Sequence, residues 1–155
     1  MRYLLILGLI FMFTGCKNSD PVTSEGIESI VVGQNIIHTH HPTSDGYRIN
    51  SVSQREGSLV LNVSYGGGCQ YHNFRLMADE GILRTMPPGI RAFLFHNDNE
   101  DTCEAWITDD IVFDLNEVIN KVEGLEGRTE FSIHIVSPDK IDSTEVIVEI
   151  NTLID

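Results

Sequence analysis

The chain has 155 residues, with 23 Asp and Glu against 10 Lys and Arg, a formal net charge of −13. That length suffices for one domain with a real core, and the charge excludes nucleic acid or anionic headgroups as partners held by electrostatics.

In chain order, Arg2 is followed by the apolar run 4–13 and the small pair Thr14-Gly15 before Cys16. A short positive start, a brief apolar stretch and small residues predict a secretory signal peptide over 1–15, too short to span a bilayer. Phe13-Thr14-Gly15-Cys16 resembles a bacterial lipobox, with Phe13 where Leu is usual. The resemblance implies that Cys16 is acylated, becomes the mature amino terminus and anchors the chain in a membrane. Lys17, rather than Asp, after that cysteine resembles lipoprotein sorting signals that favour the outer membrane. Losing Arg2 with the leader makes the mature chain one charge more negative. Residues 16–25, polar and containing Pro, Ser and Gly, predict a flexible tether, and residues 26–155 the folded domain.

From residue 26 the pattern alternates with period two, and long helical stripes are absent. A first strand covers 27–32 and closes at Gly33. A loop with His38, His40, His41 and Pro42 ends in the Asp45-Gly46 turn. A hairpin follows, 47–53 and 59–65, around Glu56-Gly57. Residues 70–77 alternate again, with His72, Phe74 and Leu76 on one face and Tyr71, Asn73 and Arg75 on the other. Asp79-Glu80-Gly81 predicts a turn, and Met86-Pro87-Pro88-Gly89 a break. Residues 90–96 are apolar on both faces, as a central strand requires. After the acidic loop 96–104, a strand covers 107–115. Asp114 then caps one short helix, 115–122, with Leu115, Val118, Ile119 and Val122 on one face. Strands at Phe131, Ile133 and Ile135 and at Val146, Val148 and Ile150 complete the chain. About eight short strands with turn signals every ten or so residues predict an all-β fold, a single β-sandwich, immunoglobulin-like or related, with one short helix.

If Cys16 carries lipid, Cys69 and Cys103 remain, and an even remainder in an exported chain predicts a disulfide. The glycines 66–68 let the backbone turn so that Cys69 points at the acidic loop. The competing reading is a thiol nucleophile at Cys69 activated by His72, and strand spacing opposes it, because residues three apart face opposite ways. Asn97, Asn99 and Asp101 alternate like the oxygens of a calcium loop, but Thr102 and Thr108 stand where such a loop needs Gly and Glu. His38 and His40 share a face if extended and offer two imidazoles to zinc or copper. No Gly-rich phosphate loop, nucleophile elbow or zinc-protease motif is present, and no cofactor is read from the sequence.

The segment Gly67-Gly68-Cys69-Gln70-Tyr71-His72-Asn73-Phe74 and the loop from His96 to Cys103 resemble those of exported β-domains of uncharacterised function. The resemblance implies a fold unit and supplies no mechanism. The sequence therefore reads as an anchored binding or structural module of the bacterial envelope. Its partners are the membrane through Cys16, and an envelope protein or small ligand. The alternative is a metal-binding protein or metal-dependent enzyme using the loop histidines or the acidic 96–103 loop.

Overall fold

The computed structural model describes residues 26–34, 36, 43–138 and 145–152. The leader, Cys16, the tether, His38, His40 and His41 lie outside the described residues.

Nine strands form two sheets: β1 (Ile27–Ser29), β2 (Val31–Gly33), β3 (Tyr47–Arg55), β4 (Ser58–Gly67), β5 (Asn73–Leu83), β6 (Gly89–Asn97), β7 (Ala105–Asp114), β8 (Glu130–Val136) and β9 (Val146–Asn151). One sheet has the order β1-β7-β4-β3 and the other β2-β5-β6-β8-β9, and the short helix α1 (Asn116–Lys121) lies between β7 and β8. The expected β-sandwich is present.

Alternation builds the core. Leu59, Leu61, Val63 and Tyr65 of β4 pack with Ile111 and Phe113 of β7 against Phe74, Leu76, Leu94, Ile133 and Ile135 of the other sheet. The β3–β4 hairpin closes on Arg55 and Ser58, with Glu56 at φ 41° and Gly57 at φ 76° between them. Positive φ at both loop residues is what a two-residue turn needs to match strand twist. Leu115, Val118, Val122 and Leu125 bring the helix and its exit into the same core.

Three local expectations shift. The first strand is two. β1 pairs parallel with β7 and β2 parallel with β5, while Ile30 between them is buried where the chain changes sheets. Asp79-Glu80-Gly81 is a bulge and not a turn, since β5 stays paired with β6 on both sides, Ala78 with Ala92 and Ile82 with Ile90. The helix is shorter than 115–122. Its N-cap is Leu115, without a side-chain cap, and Asp114 instead stands one residue before it, accepting the Asn116 N–H at 2.9 Å.

Candidate functional site

The corner where β4 ends and the 98–104 loop returns holds most of the chemistry-bearing residues. Gly67 and Gly68 sit at φ 142° and 120°, so the chain turns out of β4 in a region that only glycine occupies freely. Close approach reinforces the requirement: a Cβ on Gly67 would run into His72 Nε2 and lie 2.9 Å from Asp101 Oδ2. The turn aims three consecutive N–H groups at one oxygen. Gly68, Cys69 and Gln70 donate to Asp101 Oδ2 at 2.8, 2.8 and 2.9 Å, and Cys103 donates to Oδ1 at 2.8 Å. Beside them, Cys69 and Cys103 form the disulfide, with Cα atoms 5.9 Å apart.

The Asp101 side chain is fully buried. The Cys103 N–H, then those of Gln70 and Cys69 and the His72 ring, hold its carboxyl well below the usual carboxylate range, against the opposing effect of burial. Four amide dipoles with their positive ends on one carboxylate make a seat for an anion, already filled, and they oppose a cation at that point. Among the described residues, Cys69, Asp101 and Cys103 are the cluster whose donor atoms lie close enough for a metal, within 4.8 Å. Its two sulfurs are bonded to each other, and its carboxylate serves the backbone.

Beneath the cystine lies a buried imidazole pair. His72 Nε2 is 3.1 Å from Asp101 Oδ2, and His72 Nδ1 is 2.9 Å from His96 Nε2. A carboxylate only accepts, so we assign the proton on His72 to Nε2. Nδ1 of a neutral His72 then accepts from His96 Nε2–H, which leaves His96 Nδ1 bare. That atom is buried and has no hydrogen-bond partner in the structure. Phe74 stacks on the His96 ring at 4.3 Å and 9°, Tyr65 lies 4.6 Å from His72, and Tyr47 meets His96 edge-on. Burial, and next the neighbouring His72, push the His96 pKa down, so His96 sits neutral in an aromatic box. Burial, followed by Asp109, pushes the Tyr65 hydroxyl up.

The alternating loop residues are spent locally. Asn97 Oδ1 accepts the Asn99 N–H at 2.9 Å, Asp98 Oδ1 accepts the Glu100 N–H at 2.8 Å, and the Asn99 amide donates to the Tyr71 carbonyl. The strand expected over 70–77 begins only at Asn73, so Cys69 and His72 lie in the turn between β4 and β5 and strand spacing does not decide where they point. The glycine turn instead seats His72 directly under the carboxylate that holds the Cys69 N–H. Two features escape a reading of motifs. Asp101 as the hub was legible only as an Asp two residues before a cysteine, a spacing that lets a carboxylate accept the N–H two residues on. The second is on β8, where Ser132 Oγ is 3.0 Å from His134 Nε2 and His134 Nδ1 is 3.1 Å from Glu145 Oε1. Ser132 is only 3% exposed, and a Cβ on Gly89 would lie 2.7 Å from its hydroxyl, so the backbone of β6 covers the serine. A covered hydroxyl is no nucleophile for an external carbonyl.

No family model matches the chain, and no curated protein matches it in sequence. Solved structures do match in fold. A NigD-like immunity protein from Bacteroides caccae superposes with a TM-score of 0.54 at 14% identity over 81% of this chain and 64% of that one. The DUF1344 protein of Bacteroides vulgatus gives 0.51 at 12% identity over 81% of this chain and 56% of that one. The chain thus spans less than two thirds of either neighbour, and at such identity the likeness shows the fold alone.

Proposed function

We propose that the chain is a lipid-anchored binding module of the bacterial envelope, held at the outer membrane through acylated Cys16 and carried on the tether 16–25. One observation supports a binding module over an enzyme: in the corner that gathers cysteine, histidine and aspartate, the cysteines, Asp101 and His72 are spent on one another and His96 is buried. Asp101 takes four backbone N–H groups and an imidazole, the thiols are bonded, and His72 and His96 face inward among aromatics. A catalytic group must reach a substrate, and none of these does.

Intact-mass and amino-terminal peptide analysis of the protein purified from its membrane tests the anchor. The expected mature chain begins at an acylated Cys16, and Cys16→Ser leaves the leader attached and the protein unlabelled by an alkyne fatty acid. A mature chain that begins at any other residue overturns the lipoprotein reading.

A further inference from the structure

The outward face of the four-stranded sheet carries a cross-linked set of hydrogen-bonding side chains beside an exposed tryptophan. On β4, Asn62, Ser64 and Gly66 stand in register with Asp110, Thr108 and Trp106 of β7. Their inward neighbours Leu61, Val63 and Tyr65 are core residues, so this set points outward, although Ser64 is itself covered and only 2% exposed. The polar members are cross-linked. Asn62 Nδ2 donates to Asp110 Oδ1 at 2.7 Å, and the Ser64 and Thr108 hydroxyls share a bond of 2.7 Å. From β3, Asn50 Nδ2 donates to Asn62 Oδ1 at 2.9 Å and to Ser64 Oγ at 2.7 Å, and Arg48 Nε donates to Asn50 Oδ1 at 3.1 Å. Trp106 is 67% exposed. Its partner across the ladder is Gly66, where a Cβ would meet nothing within 4 Å, so no side chain from that position covers the indole.

We propose that this face binds a neutral oligosaccharide, with one sugar ring against Trp106 and the hydroxyls of the next on the Asn50, Asn62, Thr108 and Asp110 lattice. The inference rests on the binding-module reading and names its ligand class. A pyranose has an apolar C–H face and a rim of hydroxyls that both donate and accept. Its complement is an aromatic plate beside fixed amides, hydroxyls and a carboxylate, which is what these strands present. Because the lattice side chains already hold one another, little of their freedom remains to be lost on binding. From Trp106 to Asp110 the strand advances about 14 Å, room for more than a single ring. Other occupants fit less well. An anionic lipid surface or a sulfated or uronic polymer meets Asp110 in a chain of net charge −13. A protein hot spot wants apolar side chains packed round its tryptophan, and here the surround is glycine and polar groups.

Trp106 is the chain's single tryptophan, so its fluorescence reports directly from the proposed site. The full mature protein is applied to an array of neutral and acidic glycans, and any glycan retained is titrated while Trp106 emission is followed. The expected result is retention of one or more neutral glycans with a change in emission. Trp106→Ala should bind about tenfold more weakly, read by calorimetry, with Trp106→Phe between it and wild type. Asp110→Asn weakens binding too, whereas Glu149→Gln on the far sheet leaves it unchanged. Thermal melts confirm that each variant folds. The inference is overturned if no neutral glycan is retained, if only acidic glycans bind, or if Trp106→Ala binds like wild type. It is equally overturned if phosphatidylcholine vesicles or a protein partner, and no glycan, are lost with Trp106. An array failure with Cys16 acylated removes the ligand class and leaves the anchored module standing.

Discussion

Replacing Cys103 with Ala cuts the one covalent link between the β4 exit and the acidic loop. The bridged residues are 34 apart in sequence, and closing a loop of that length removes unfolded-chain entropy equivalent to about 4 kcal/mol at room temperature. In the folded state the loss should be small, because the four N–H groups on Asp101 still tie the two segments together. The effect therefore falls on the unfolded chain. For a domain of this size about 4 kcal/mol lowers the melting temperature by roughly 12–15 °C. Scanning calorimetry of wild type, Cys103→Ala, Cys69→Ala and the double variant checks this. The two single variants should melt together and the double within about 2 °C of them, since either change breaks the same bond. Wild type melted in a thiol reductant should join that group. A Cys103→Ala protein that melts with oxidised wild type would refute the entropic reasoning. So would a double variant far below the singles, because the thiols would then be contributing separately.

Gly67→Ala should destabilise by about 1–3 kcal/mol through strain and the collision with His72, while Gly66→Ala stays within about 1 kcal/mol of wild type, as urea titration will show. Equal effects at the two positions would refute the packing of His72 under Gly67. The His96 pKa lies below its ordinary value of 6.5, so the unfolded chain takes up that proton first. Stability from this group is complete above pH 6.5 and falls as the pH drops below it, a slope in urea midpoints that His96→Phe should flatten; an unchanged slope refutes the assignment. Asp101, also depressed, adds a second loss only as the pH falls below its ordinary 3.8, and Asp101→Asn should remove that acid limb. Calcium and chelator should leave the melting temperature unchanged, whereas a site filled at about one hundred times its Kd would add about 2.7 kcal/mol.

Most of the architecture was legible because it rests on alternation. Leu59, Leu61, Val63 and Tyr65 point one way on any strand, and Glu56-Gly57 permits few turns. The legible features are local ones. The split of the first strand at Ile30 was hidden, since both halves carry the same alternation and only the positions of two separate sheets tell them apart. The bulge at Asp79-Glu80-Gly81 has the composition of a turn, and pairing with β6 on both sides overrides it. At the corner, two cysteines and three glycines announce a disulfide. The hub is Asp101, 31 to 33 residues away in sequence from the N–H groups it collects, and no spacing rule reaches that far. The His72–His96 contact depends likewise on the β5–β6 register, which sets Phe74 opposite His96.

The switch of the chain at Ile30 bears on how the domain responds to force. β1 and β2 are each held by three register positions, one pair of strands in each sheet, with the buried Ile30 wedged between them. Tension applied from the amino-terminal side runs along β1 against β7, so these ladder bonds are sheared together and not opened one by one. Once they yield, Ile30 is drawn out and β2 follows, while the hairpin, the cystine corner and the β5-β6-β8-β9 ladder keep all their own pairs. A pull on this protein should therefore show a small early rupture at its first six residues of sheet, followed by a larger one as the sandwich itself comes apart.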